Sequence, residues 1–200
     1  MKIYKIYPQG FASNCFLVTG DGKNAIAIDP AQPRVLDEAE RHGLKIKYAL
    51  LTHGHFDHIG GCAAVSEAGA KIGCLAAERE LALGIANMGR AFGVRVPPFP
   101  VDFTFEDGDE LDLCGVKLRV LATPGHTAGS CCLMTENALF TGDTLFAGDV
   151  GRTDLPTGDS ATLKESLQKL AALEGDFTVY AGHGADSTLE RERADNPHLK

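Results

Sequence analysis

Five of the seven histidines lie in three short motifs, "THGHFDH" (His53, His55, His58), "TPGHT" (His126) and "AGHG" (His183). Each motif follows an apolar, strand-like run and is flanked by glycine, the setting of a loop at a strand end where the backbone turns sharply to present a side chain. Asp57, inside the first motif, and Asp143, in "LFTGDT" after another such run, join the set. Imidazoles and carboxylates are costly to bury without partners. A fold that suits this chain must therefore bring several strand ends to one place.

The periodicity supplies the strands. "KIYKIY", "CFLVTG", "NAIAIDP" and "KYALLTH" are short apolar segments of β type separated by turn signals. Between the last two, "PRVLDEAERHG" predicts a helix, with Pro33 early and Gly43 as its stop. "HIGGCAAVSEAG" and "AAERELALGIANMGRAFG" predict two more helices around a strand "KIGCL". The prolines of "VRVPPFP" break the pattern, because they fit neither a helix interior nor a central strand. Beyond the break, "VDFTF", "DELDL" and "VKLRVLATP" read as strands joined by turns, with Val116, Leu118 and Val120 alternating with Lys117 and Arg119. "SCCLMTENALFTGD" predicts a hairpin around Glu136 and Asn137, and Asp159 and Ser160 are placed to cap a helix over "ATLKESLQKLAAL" before the strand "FTVYAG". Strands and helices followed by more strands and helices predict two sheets with helices outside, a layered α/β arrangement, over a single domain spanning 1–200.

Composition narrows the function. With 44% apolar and 23% charged residues and no apolar run near the roughly 18–20 residues that cross a bilayer, a globular protein away from membranes is expected. Pro8 and Gly10 interrupt the opening segment before any signal-peptide core can form, so the expected location is the cytoplasm. A net charge of −8 without clustered Lys and Arg argues against a nucleic-acid partner. The six cysteines show no CxxC spacing and read as free, partly buried apolar residues. No feature sets an oligomeric state. His42, near a helix end, and His198, near the C-terminus, read as surface or structural residues.

The remaining five imidazoles and two carboxylates all suit a borderline divalent metal, and the absence of cysteine from the set argues against a closed structural zinc site. Seven ligands exceed what one tetrahedral ion needs. If Asp143 bridges, they divide into His53, His55 and His126 around one ion and Asp57, His58 and His183 around a second, with solvent completing each shell. Zinc heads the expected cofactors, two ions in number, with iron and manganese open to the same ligands.

"THGHFDH", "TPGHTAGS", "FTGDTLF" and "AGHG" resemble the ordered metal motifs of the metallo-β-lactamase superfamily. The resemblance covers nearly the whole chain and implies a four-layer αβ/βα sandwich with the metal site at the rim where the two sheets meet. "AIDP" is similar to a family strand end whose aspartate, here Asp29, lies behind the ligands and orients a ligating histidine. "GDTLFAGDVGRTDLPTGD" and the ending "GHGADSTLERERADNP" narrow the likeness to the glyoxalase II-like hydrolases and the related persulfide dioxygenases, both acting on glutathione conjugates. By that likeness Arg152, in "GRTD", is the candidate for holding a substrate carboxylate, and a salt bridge to Asp154 is the structural reading of the same residue. Only 17 residues follow His183, whereas full-length glyoxalase II carries a C-terminal helical domain.

The expected reaction is hydrolysis of a small-molecule thioester or glutathione conjugate such as S-lactoylglutathione. A water between two cations loses its proton near neutral pH and attacks the carbonyl as a metal-bound hydroxide. Asp57 would both bind metal and handle a proton during turnover. The alternative is a mono-iron persulfide dioxygenase acting on glutathione persulfide, its iron held by His53, His126 and Asp143. A non-catalytic metal-binding role is the remaining contrast.

Overall fold

The computed structural model describes residues 1–200. The first six strands, β1 (Lys2–Ile6), β2 (Cys15–Thr19), β3 (Asn24–Ile28), β4 (Lys45–Leu51), β5 (Lys71–Leu75) and β6 (Phe103–Phe105), form one sheet in sequence order. β1 to β3 are antiparallel and β3 to β6 parallel. The second sheet starts with the meander β7 (Glu110–Leu113), β8 (Val116–Ala122), β9 (Cys131–Met134) and β10 (Ala138–Gly142). A small hairpin, β11 (Leu145–Phe146) with β12 (Asp149–Val150), then leads on to β13 (Thr178–Ala181), parallel to β10, and to β14 (Ser187–Thr188) at the edge.

Alternation along the strands separates three cores. On β2, Cys15 and Leu17 point to the helices α1 (Val35–Arg41) and α3 (Cys62–Glu67), in a cluster with Val35, Ala39, Cys62 and Val65. Phe16 and Val18 point the other way and meet Leu118, Val120, Leu133 and Phe140 of the second sheet. The outer face of that sheet, with Leu121, Cys132 and Leu139, is covered by Leu163, Leu167 and Leu170 of α5 (Ser160–Ala171) and by Leu189 of α6 (Leu189–Asp195). Helices, sheet, sheet, helices is the predicted αβ/βα sandwich, a metallo-β-lactamase fold. No helix is long and apolar enough to cross a membrane. All six cysteines are free; five are buried and Cys114 is half-buried.

The strand in "VDFTF", β6, pairs in parallel with β5 and closes the first sheet. Two local expectations need correction. The helix predicted across "HIGGCAAVSEAG" is two, α2 (Phe56–Ile59) and α3, separated by Gly60 and Gly61, which lie against the backbone of Ala31 and Gln32 with no room for a Cβ. The long helix predicted over "AAERELALGIANMGRAFG" is a 3-10 turn at Ala76–Glu78, the short α4 (Arg79–Leu83) and a second 3-10 turn at Ile85–Asn87, interrupted where Gly84 is extended and Met88 left-handed (φ 67°).

Candidate metal centre

Every residue of the predicted cluster stands just past the C-terminal end of a strand or in the turn that follows. β4 delivers Thr52, His53 and His55, and α2 then begins at Phe56, so Asp57 and His58 occupy its first turn. β8 leads to His126, β10 to Asp143 and β13 to His183. In β10 the register slips between Phe140 and Gly142, and Gly142 adopts φ 49°, turning Asp143 toward the first sheet. The two sheets are tied at this rim by main-chain bonds from Cys131 N–H to Thr52 O (2.9 Å) and from Asn14 N–H to Gly182 O (2.7 Å).

The side chains form overlapping groups able to hold an ion: His53, His55 and His126; His53, His58 and Asp143; and Asp57, His58 and His183. His55 Nδ1 is 2.9 Å from His126 Nε2. Asp143 lies between the halves, with Oδ1 3.2 Å from His58 Nε2 and Oδ2 3.7 Å from His126 Nε2 and 3.6 Å from His183 Nε2. Asp57 Oδ2 is 3.2 Å from His183 Nε2. The His53, His55 and His126 side is buried, whereas the His183 side chain is 38% exposed, so solvent reaches the cluster past His183 and Asp57.

The donor set of the cluster suits a cation. His53 Nε2, His55 Nε2, His58 Nε2 and Asp143 Oδ1 are buried and have no hydrogen-bond partner, an arrangement that costs about 1–3 kcal/mol for each such group when nothing else satisfies it. All four belong to residues of the cation-holding groups, and second partners fix which nitrogen of His58 and of His126 is free to ligate. His58 Nδ1 lies 2.9 Å from Asp29 Oδ2 and His126 Nδ1 lies 2.7 Å from the Arg152 carbonyl, so each donates there and presents Nε2 inward. Thr52 gives its hydroxyl hydrogen to Asp29 Oδ2 (2.6 Å), which leaves its oxygen to accept from His53 Nδ1 at 3.3 Å. Asp29 thus lies against His58 directly and against His53 through Thr52. Its left-handed backbone (φ 49°) is tolerated by aspartate and aims the carboxylate back under the loop.

Charge follows the same division. Burial, reinforced by His126, pulls the His55 imidazole down to about 4, so it stays neutral and available to a cation at neutral pH. Burial opposes the charged forms of His58 and Asp143, but they support each other: the surrounding carboxylates, Asp143 first, hold His58 well above its ordinary value, and the imidazoles, His58 first, hold Asp143 well below its own.

Arg152 meets the cluster through its main chain, by the carbonyl that fixes His126, and Gly151 lies against the Asp143 backbone. Its guanidinium is exposed and paired two-pronged with Asp154, Nε to Oδ1 at 2.6 Å and Nη2 to Oδ2 at 2.7 Å. Sequence reasoning missed Glu78, which is buried and accepts from Gly54 N–H (2.8 Å), Thr127 Oγ (2.9 Å) and Gly129 N–H (3.0 Å). Nothing local distinguishes it from exposed Glu80 two residues on; its partners lie 24, 49 and 51 residues away. Also missed was Asn14, whose Nδ2 donates to the Ala181 carbonyl at 2.9 Å and braces the turn before His183. The ending that carried part of the resemblance has a structural role: Glu192 of α6 accepts from Gly148 N–H (2.8 Å), Asn196 Nδ2 (2.9 Å) and the Ser187 hydroxyl, fastening the loop that leads to Arg152.

With this geometry in place, the sequence model of the Metallo-beta-lactamase superfamily matches residues 8–183. The chain belongs to that superfamily. This superfamily member is 36% identical over 208 residues to hydroxyacylglutathione hydrolase GloC of Haemophilus influenzae, covering 100% of this chain and 98% of the relative. Among solved structures it superposes with a TM-score of 0.89 on TTHA1623 in a di-iron-bound form (34% identity, 98% of this chain and 100% of that one). The TM-score is also 0.89 on BLEG-1 B3 metallo-beta-lactamase (31% identity, 100% of both chains). It is thus a metallo-hydrolase superfamily protein with a glyoxalase II-like relative of its own length, and its histidine and aspartate groups suit divalent metals.

Proposed function

We propose that this protein is a dinuclear metal-dependent hydrolase that cleaves thioesters of glutathione, S-lactoylglutathione being the type substrate. The observation that carries the proposal is a largely buried cluster of overlapping cation-holding groups, with Asp143 between its halves and its most exposed side chain at His183. His53, His55 and His126 would hold one ion, Asp57, His58 and His183 the other, and Asp143 would serve both. Zinc is the first choice on ligand chemistry, and iron or manganese use the same donors, as the di-iron neighbour illustrates. A relative named hydroxyacylglutathione hydrolase GloC, matched over 98% of its own length, supports glutathione as the thiol.

Bound divalent ions would supply Lewis acidity and lower the pKa of coordinated water. The chain's own groups do the rest. The half-exposed side at His183 admits the thioester, while buried His53, His55 and His126 keep bulk water from the opposite side. Asp57, whose Oδ2 lies 3.2 Å from His183 Nε2, would hold a proton during turnover. No cysteine is needed as nucleophile, and burial holds the thiols up, Cys74 to about 12. The thiolate released from a thioester leaves without a strong general acid. Arg152 would bind a substrate carboxylate by exchanging it for Asp154, because an exposed ion pair is weakly held.

Metal analysis of protein purified without chelator, coupled to an S-lactoylglutathione assay, tests the reading. Two ions per chain with turnover are expected, and His55→Ala or Asp143→Ala should lose metal and activity together. A fully active metal-free variant overturns it. One iron per chain, no thioester cleavage and oxygen uptake with glutathione persulfide would replace it with the persulfide dioxygenase reading.

A further inference from the structure

We propose that Glu78 is a positioning residue that sets the spacing of the three-histidine group and of no other part of the cluster, so that its removal weakens one bound ion selectively. The inference rests on the reading that His53, His55 and His126 hold an ion.

Glu78 ends the 3-10 turn Ala76–Glu78, is 1% exposed, and uses both carboxylate oxygens. Oε1 accepts from Gly54 N–H at 2.8 Å, between His53 and His55. Oε2 accepts from Thr127 Oγ at 2.9 Å and Gly129 N–H at 3.0 Å, in the loop that carries His126. The first loop follows β4 of one sheet and the second follows β8 of the other. One carboxylate therefore spans the two loops that supply all three imidazoles. It has no hydrogen bond to His53, His55 or His126, so any effect on an ion passes through the loops.

The packing around the carboxylate is built for this approach. A Cβ on Gly129 would stand 2.6 Å from Glu78 Oε2, and one on Gly54 would stand 2.6 Å from the Ala82 Cα. Thr127 is itself fixed by Ser130, hydroxyl to hydroxyl at 2.7 Å. The donor inventory selects a carboxylate: two main-chain N–H groups and a hydroxyl converge on two oxygens, and an amide in its place turns a donor toward a donor. The other group is held by Asp29, which touches His58 directly and the three-histidine group only through Thr52, and by Asn14 under the turn to His183.

The test is metal titration of the full chain against a chromophoric chelator, with Co²⁺ and Zn²⁺ as probes. His55→Ala and Asp57→Ala identify which binding step belongs to which group. Glu78→Gln should weaken the step lost in His55→Ala roughly 10- to 100-fold, the range typical for groups that support a ligand from behind. The step lost in Asp57→Ala should stay within twofold, and the visible Co²⁺ spectrum of the first ion alone should change. Thr127→Val, which deletes one of the three donors while keeping the side-chain shape, provides the same comparison with a smaller loss should Glu78→Gln fail to fold. Wild-type affinity at both steps in the variants, or equal weakening of both, overturns the role of Glu78. A His55→Ala protein with unchanged metal content defeats the three-histidine ion itself, and with it this inference.

Discussion

At Gly182 the cluster leaves no space for even a methyl group. A Cβ there would stand 2.6 Å from His58 Cε1 and closer still to Asp143 Oδ1. Gly182→Ala should therefore push the aspartate or the histidine off its place without touching a ligand. Misplacements of about 1 Å cost on the order of 100-fold in rate, so the variant should show that loss in thioester turnover together with reduced metal content, while its circular dichroism stays that of the parent. Gly142 faces a similar constraint, adding a left-handed backbone to a close approach by Thr52. These contacts explain what could be read from the amino-acid order at this scale. His53, His55, His58, His126, Asp143 and His183 announce themselves because residue type and flanking glycine are local signals. Glu78 does not, because a buried carboxylate whose partners lie in two distant loops looks in sequence like any helix-forming glutamate.

Among the elements, α5 does more than cover the second sheet. Asp159 caps it by accepting from Thr162 N–H at 2.7 Å, and the Asp159 N–H donates to the Gly125 carbonyl at 2.8 Å, directly before His126. Ser166 Oγ donates to the Pro124 carbonyl at 2.6 Å, and Leu163 lies against Gly125. Asp159→Ala should cost about 1 kcal/mol, lowering the melting temperature by about 2–4 °C for a chain of this size, as a thermal scan would measure. The capped helix was legible because a cap, an amphipathic repeat and a stop lie within a few residues of one another. The segment from Ala76 to Met88 was not: its composition favours helix, and tertiary contacts break it, with Glu78 turned inward to the loops and Gly89 against Phe56. The placement of β6 escaped for a related reason, since strand pairing is decided by a neighbour 30 residues away rather than by the strand's own residues.

Over the whole molecule, the three cores and the rim cluster depend on a chain end that looks peripheral. Glu192 is 1% exposed and joins α6 to the loop between β11 and β12 through Gly148 N–H, with Asn196 Nδ2 reaching the Phe146 and Asp149 carbonyls. Glu192→Ala strands these donors and should destabilise the fold by about 2–3 kcal/mol, seen as a lower urea midpoint and as faster proteolytic cutting between residues 146 and 152. The layered architecture was legible from the order of strands and helices. This clasp was not, because its partners meet only after β13 and α6 return to the sheet. The distribution of the cluster between the sheets carries one more consequence. His53, His55, Asp57 and His58 come from the first sheet's side, and His126, Asp143 and His183 from the second. Neither half alone assembles the three-histidine group. A cation that requires that group can be captured only once the halves have docked, so the moment of tight metal uptake during refolding is a clock for that docking.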